Sequence, residues 1–340
     1  MKEEMMGSLD GRIALVTGAG RGIGRAEALY LAREGARVVV NDPGVAPDGS
    51  GADSSIAASV VAEIRDQGGE AIASTHSVAE WQGAEALVGT AVERWGDLHI
   101  VVNNAAVSRP GSLVRATEDD FDAVVAVKLK GSFNVSRWAA EYWRGRHEAG
   151  DHQDRSLVNT TSTAGLDSPL PLNTSYAAAN AGVAAMTIVH ALELRRYGVR
   201  VNAISPGART RLSLELPAGV PSLTQATPAP GAFDPWDPIH QAVVVAYLGR
   251  SDTPLTGQVL TVRGSTVIPT NTWSLGAPVT KEDAGWTVDE LADVLGEAPF
   301  TDPFDRLTFL RRVYDVSTHD EIQRLLDSIL DADLAEAGGV

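Results

Sequence analysis

The run Thr17-Gly18-Ala19-Gly20-Arg21-Gly22-Ile23-Gly24 lies between a short apolar segment, Arg12 to Thr17, and a stretch of helical spacing, Gly22 to Glu34. Glycines at such a junction let the backbone turn tightly and approach a pyrophosphate. That group then rests on the free N–H groups and positive dipole end of the helix. A glycine-rich turn alone is a weak signal; its place after a strand and before a helix gives it weight. Twenty-four residues after Gly18, where a second strand ends, stands Asp42. A carboxylate there hydrogen-bonds ribose hydroxyls and repels a 2′-phosphate, which selects NAD over NADP. Arg21 pulls the other way, since a guanidinium in the glycine loop holds such a phosphate. Asp42 is weighed as the stronger of the two. It also has a purely structural alternative, as the start of the Asn41-Asp42-Pro43-Gly44 turn.

The elements that must position these residues alternate in type. Short β-branched runs at Arg12 to Thr17, Arg37 to Val40, Ala71 to Ser74, Ile100 to Val102, Leu157 to Asn159, Arg200 to Ile204 and Gln258 to Val262 predict about seven strands. Between them, helical spacing predicts helices over Gly22 to Glu34, Ser54 to Gln67, Glu80 to Arg94, Glu118 to Arg144, Ser175 to Arg196 and Pro238 to Leu248. Near-continuous apolar strands alternating with helices read as an α/β fold, a doubly wound parallel sheet of Rossmann type covered on both faces. The segment 212–238 carries six prolines and reads as a lid loop.

Beyond Thr270 strands are no longer expected, and Thr287 with Glu290 and Thr318 with Glu321 form two capping boxes. After the second, Ile322, Leu325, Leu326, Ile329 and Leu330 make one apolar stripe that must be covered. Residues 279–340 hold fifteen Asp and Glu against five Lys and Arg, most of the chain's net charge of −16. The division is therefore a dinucleotide-binding domain at 9–270 and an acidic helical C-terminal extension at 271–340. The extension reads as docked on its own core or a sister subunit.

Composition excludes several functions. The absence of cysteine removes disulfides, thiolate catalysis and cysteine-ligated metals. The acidic balance disfavours a nucleic-acid partner, because phosphate binding needs clustered Lys and Arg. No secretory signal or membrane span is read, so the expected location is the cytoplasm. His147, His152, Glu148, Asp151 and Asp154 have metal-ligand chemistry but lie in a polar turn, and no metal is expected.

Together these features resemble the short-chain dehydrogenase/reductase family over Leu9 to Val267. The resemblance rests on the glycine loop, Asn103-Asn104-Ala105-Ala106 after the fourth strand, Val158 to Ser162 with Ala164-Gly165 after the fifth, Tyr176 opening a helix, and Pro206-Gly207 after the sixth. The run Val38 to Asp42 and the long second loop are most similar to the (3R)-hydroxyacyl-CoA dehydrogenase branch found in peroxisomal multifunctional enzymes. It implies NAD-dependent hydride transfer between a secondary alcohol and a ketone on a small hydrophobic substrate. Tyr176 is then the general acid/base, and Ser162, with Thr163 as rival hydroxyl, holds the substrate oxygen. Gly18, Arg21, Gly22, Ile23, Gly24, Asp42, Ser77, Val78, Asn104, Ala105, Ala106, Pro206 and Gly207 hold the cofactor. Homo-oligomerisation as a dimer or tetramer is also implied.

Three departures stand against that pattern. The family places lysine four residues after the tyrosine, and here the helix reads Tyr176-Ala177-Ala178-Ala179-Asn180. A tyrosine with a pKa near its reference of about 10 is ionised to roughly one part in a thousand at pH 7, a deficit of ~4 kcal/mol against one tuned to 7. In the preceding helix, where the family carries Asn in a Val-Asn-Leu-x-Gly run, this chain has Val127-Lys128-Leu129-Lys130-Gly131. Asn and Lys are thus exchanged. Lys128 is expected to bring positive charge toward Tyr176, and Asn180 to donate to the ribose. Third, His76-Ser77-Val78 replaces an Asp expected at the adenine. The exchange leaves two alternatives open: non-redox chemistry on the same fold (dehydration, aldol-type or cyclisation), and nucleotide or partner binding without catalysis.

Overall fold

The computed structural model describes residues 7–214, 227–229, 231–271, 278, 287, 290, 293 and 307–337. Eight strands form one sheet in the order β3-β2-β1-β4-β5-β6-β7-β8. They are β1 (Ile13–Thr17), β2 (Arg37–Asn41), β3 (Ala71–Ser74), β4 (Ile100–Asn103), β5 (Arg155–Thr160), β6 (Val199–Gly207), β7 (Val259–Arg263) and β8 (Thr266–Pro269). The first seven run parallel, and β8 returns antiparallel to β7 with Leu260 opposite Pro269. The expected seven strands are therefore eight. The extra one is an edge strand whose four residues are all exposed, so it lacks the apolar run that marks the others.

Apolar side chains alternate between two cores because successive strand residues face opposite sides. One face buries Ala14, Val38, Val40, Val102 and Val158, and the other buries Leu15, Val39, Val101 and Leu157. Helices α1 (Gly22–Arg33), α2 (Ser55–Asp66) and α8 (Ile239–Gly249) lie with the first core, and α3 (Trp81–Trp95), α5 (Gly131–Glu148) and α6 (Thr174–Leu194) lie with the second. The strand order reverses direction between β1 and β4. A crevice at the carboxyl ends of parallel strands opens at such a reversal, and ligands bind there.

Two local features shape that crevice. Helix α4 (Glu118–Val124) starts at a capping box, in which the Thr117 hydroxyl accepts from the Asp120 amide and the Asp120 carboxylate accepts from the Thr117 amide. Between α4 and α5 the chain makes a π-helical turn, Val125–Lys130, where one long helix was expected from Glu118 to Arg144. Such turns are rare and concentrate at functional sites, because the extra residue re-aims a side chain. Here it leaves Lys128 only 1% exposed. The second feature is Leu172, which holds φ at +66° while its carbonyl accepts from the Gly111 amide at 2.8 Å. A non-glycine residue in that region costs ~1–2 kcal/mol, so the loop before α6 is held by its surroundings.

Helix α6, with the turn that follows it, is long and apolar enough by length and composition to cross a membrane. This corrects the expectation that no such stretch exists. In the structure α6 packs beside β6 and the π turn, with Asn180 and Thr187 fully buried.

A short helix α7 (Arg211–Leu214) precedes the proline-rich segment, of which residues 215–226 and 230 lie outside the described residues. The C-terminal helices are α9 (Thr308–Tyr314) and α10 (His319–Ala337). Both predicted capping boxes form: Glu290 caps Thr287, and Glu321 caps Thr318. Ile322 of the predicted stripe is buried with Leu307 and Leu310, and Leu170 of the loop before α6 packs against them. Asp333 accepts from the Ser112 amide at 3.2 Å and from the Arg115 guanidinium at 2.9 Å. Burial raises the Asp333 pKa, but these bonds outweigh it and hold the carboxylate below its ordinary range. Replacing Asp333 by Asn is expected to loosen α10 by ~1–3 kcal/mol, read as faster amide exchange over 319–337 with the sheet unchanged.

Candidate functional site

The glycine loop turns because its residues can adopt what the turn requires. Gly18 and Gly22 hold φ of +62° and +54°, in the left-handed region. A Cβ on Gly18 would meet the Ala105 backbone at 2.9 Å, and one on Gly24 would meet the Gly18 carbonyl at 2.3 Å. Gly18, Arg21, Gly22 and Ile23 line the main cavity of the crevice, of ≈ 480 Å³. Gly24 does not line it; it is the close-packing glycine that lets α1 reach β1. The backbone cradle with a helix N-terminus behind it fits a dinucleotide pyrophosphate.

Asp42 stands at the end of β2 with both oxygens engaged, one accepting from the Gly20 amide at 2.9 Å and the other from the Gly44 amide at 2.7 Å. The loop thereby fixes its carboxylate against the cavity. An ionised carboxylate accepts about four hydrogen bonds, so each oxygen retains capacity for a ribose hydroxyl. A Cβ on Gly20 would lie 2.7 Å from that carboxylate, which explains the glycine. Arg21 donates to the Val45 carbonyl at 3.3 Å and lines the same cavity.

Asn104 donates to the carbonyls of Thr17 and Gly18 at 3.0 and 3.1 Å, tying β4 to the glycine loop. Asn104, Ala105, Ala106, Ser77, Val78, Pro206 and Gly207 all line the cavity. Asn103 does not. Its amide bridges to Asn159 at 2.9 Å and Ser136 at 3.0 Å, knitting β4 to β5 and α5 beneath the site.

Tyr176, Ser162, Thr163 and Lys128 face the same cavity. Burial pushes the Tyr176 phenol above its ordinary value, while hydrogen bonding from Ser162 and Asn180 opposes the shift. The Ser162 hydroxyl accepts from the Ala164 amide at 3.2 Å, a strand-end turn that also holds its oxygen in place. Asn180 is fully buried and does not line the cavity; its amide donates to the Tyr176 backbone carbonyl at 2.8 Å. Its backbone carbonyl, in turn, accepts from the Thr161 hydroxyl at 2.7 Å, while its side-chain oxygen has no partner among the described residues. The structure thus sets Asn180 behind the tyrosine rather than at the place of a ribose.

Lys128 is brought to the cavity by the π turn. Burial lowers its pKa to about 8, and the Glu27 carboxylate opposes that shift. Glu27 lies on α1 with no exposure, its own pKa pushed up to about 8 by burial and opposed by Lys128. Neither Glu27 oxygen has a hydrogen-bond partner among the described residues. A buried carboxylate without such partners is costly, and Lys128 is the cation that offsets part of it. Sequence reading missed Glu27. Its signal was available: Gly24, Glu27, Ala28 and Leu31 share one helical face, where Glu27 is the only charged residue.

Also missed were Arg211, Arg263 and Arg312, all of which line the cavity. Leu216 lies outside the described residues, as do the side chains of Leu212 and Leu214. In the turn before β5, Asp151 is held by Arg146 and Arg155, and Asp154 by Arg12 and Arg200.

Comparison with known proteins gives a consistent outcome. Residues 12–213 match the family model described as short chain dehydrogenase. The chain is 38% identical over 291 residues to hydroxyacyl-CoA dehydrogenase ChsB1 of Mycobacterium tuberculosis, covering 84% of this chain and 88% of that protein. It is 39% identical over 204 residues to the mouse peroxisomal multifunctional enzyme type 2, covering 60% of this chain and 26% of that longer protein. A crystal structure of a short chain dehydrogenase from Mycobacterium avium superposes with a TM-score of 0.75 at 44% identity, covering 87% of this chain and 99% of that one.

The pairing of Glu27 with Lys128 has a direct signature. The chain holds four lysines, Lys2, Lys128, Lys130 and Lys281, so a 13C label at lysine Cε gives resolvable signals. Lys128 is expected to titrate with a midpoint about 8, below the ordinary lysine value. In Glu27→Gln the midpoint moves lower still, because the carboxylate is what favours the charged amine.

Proposed function

Since this chain belongs to the short chain dehydrogenase family, whose members use NAD or NADP, we propose that it is an NAD(H)-dependent oxidoreductase interconverting a secondary alcohol and a ketone on a hydroxyacyl-type substrate. One observation carries this reading: Tyr176, Ser162 and Lys128 face the same cavity as the glycine loop and Asp42. Substrate class follows from the names of the relatives, and cofactor choice follows from Asp42.

The nicotinamide of the bound dinucleotide supplies or accepts the hydride. In the reducing direction the Ser162 hydroxyl donates to the substrate carbonyl oxygen and holds it beside Tyr176. As negative charge grows on that oxygen, the Tyr176 Oη–H bond breaks and its proton completes the alcohol. The phenolate left behind sits in a site where burial disfavours charge. It is stabilised by the Asn180 amide and by the Lys128 ammonium across the cavity, the single Ser162 proton being committed to the substrate oxygen. Solvent then returns the proton to Oη. Oxidation is the same path reversed, with Tyr176 as base. Lys128 takes the electrostatic part that a lysine four residues after the tyrosine would take, while Asn180 supplies a neutral donor from that helix.

Titration of the protein with NADH and NADPH, followed by nucleotide fluorescence, is expected to show saturable binding with NADH preferred. Asp42→Ala is expected to lower that preference about tenfold, the size of one charge-assisted hydrogen bond. With a 3-oxoacyl thioester as oxidant of NADH, Tyr176→Phe should lose about 10²–10⁴-fold in kcat, the range of a general acid. Lys128→Met should lower kcat and abolish the decline in rate as pH rises through about 8. An unchanged pH profile in that variant would show that Lys128 plays no part.

A further inference from the structure

Five cationic side chains line the cavity, Arg21, Lys128, Arg211, Arg263 and Arg312, against one carboxylate, Asp42, which is already engaged by two amides. This occurs in a chain of net charge −16, so the cavity is a positive region within a negative molecule. The cations divide by position. Arg21 belongs to the glycine loop, and Arg211 follows Thr210, whose methyl group lies 3.3 Å from where a Gly22 Cβ would be. Both stand where a dinucleotide pyrophosphate fits. Lys128 lines the cavity with Tyr176 and is coupled to Glu27.

Arg263 and Arg312 are at another end. Arg263 closes β7, with its Cγ 3.3 Å from where a Gly207 Cβ would be, and Trp236 borders the same glycine. Its one ion pair among the described residues is a long one, 3.9 Å to Asp167 in the loop before α6. Arg312 comes from α9, which is seated on Leu170 of that same loop through Leu307 and Leu310. It is exposed and has no ion-pair partner among the described residues. Two guanidinium groups are therefore presented over the loop that follows Ser162, far along the chain from Asp42, and neither is used by the reaction described above. A guanidinium matches the geometry of a phosphate or carboxylate and binds it by charge-assisted bonds.

We propose that Arg263 and Arg312 bind an oxyanion carried at the far end of the substrate, so that the C-terminal helices form part of the substrate site. The inference rests on the oxidoreductase reading for the identity of the reacting end, but the anion site itself stands on the arginines. A phosphate of an acyl carrier and a terminal carboxylate of the acyl chain offer the same chemistry.

The test compares three thioesters of one 3-oxoacyl chain: the coenzyme A ester, the uncharged N-acetylcysteamine ester, and an N-acetylcysteamine ester with an ω-carboxylate. The wild type is expected to prefer a charged ester in kcat/KM. Arg312→Ala and Arg263→Gln should each reduce that preference about tenfold, with the change in KM, and Arg312→Lys should restore part of it. A preference for the coenzyme A ester alone identifies the phosphate, and one for the ω-carboxylate alone identifies the carboxylate. Equal kcat/KM ratios in wild type and variants overturn the proposal while leaving the oxidoreductase reading intact. If no ester is turned over, that reading fails. Calorimetric binding of coenzyme A and of the ω-carboxylate ester to the NADH-saturated protein then decides: binding weakened in Arg312→Ala supports the anion site, and binding that is absent or unaltered overturns it.

Discussion

A lysine excluded from solvent to within 1% must be compensated, and most of the arrangement of this site follows from how that is done. Desolvation disfavours the ammonium, and Glu27 on the opposite side of the sheet's switch point is the acidic group that opposes it. The two elements that carry them belong to different layers. Helix α1 lies with one core and the π turn with the other, so the pair couples both faces of the sheet at the crevice. Either partner alone would be a buried charge without compensation, which costs several kcal/mol. The carboxyl ends of β1, β4 and β5 must therefore stay aligned if both groups are to remain in place. The Asn103–Asn159 bond and the Asn104 bonds to Thr17 and Gly18 provide that alignment.

This reframes the exchange of Asn and Lys between two helices. In the sequence it reads as a loss beside Tyr176 and a gain in the preceding helix. In three dimensions Asn180 acts on Tyr176 from within its own helix, whereas Lys128 lines the same cavity and is coupled to Glu27. A lysine on α6 itself would share its helix with the tyrosine; Lys128 reaches the cavity only because the π turn inserts a residue and redirects the side chain. Asn180 has changed function with its position: it donates within its own helix and acts on Tyr176 from behind. A neutral amide suits that place, since an ammonium buried there would have no carboxylate to offset it among the residues that act on Tyr176.

How much of this was legible depended on the range of the interaction. The parallel sheet, the glycine loop, Asp42, Tyr176 and both capping boxes are local patterns, and a single segment carries each. Strand β8 escaped because an exposed edge strand needs no apolar periodicity. The π turn escaped because no local pattern in Val125–Lys130 marks an extra residue, and it is seen only in the folded chain, beside α6. Glu27 stood in plain view as a charge on an apolar helix face, yet its meaning depends on a residue about a hundred positions away. Arg312 had no local mark at all. An arginine in an acidic tail reads as a solvated charge until α9 is seen seated on Leu170.

Charge separation within the fold carries the same logic outward. Most of the −16 resides in residues 279–340, yet the two arginines of α9, Arg311 and Arg312, lie on the helix that meets the loop before α6. At physiological ionic strength fields from exposed charges decay over ~8 Å. An anionic ligand is therefore repelled only close to the acidic surface, and within the cavity it meets chiefly the arginines and Lys128. Binding of anions then depends on reaching the crevice rather than on diffuse attraction, which suppresses weak association of polyanions elsewhere on the molecule. The extension contributes both parts of this discrimination: its outer face adds negative charge, and its inner edge adds a cation at the mouth. Its docking through Asp333 and Arg115 sets the distance between the two.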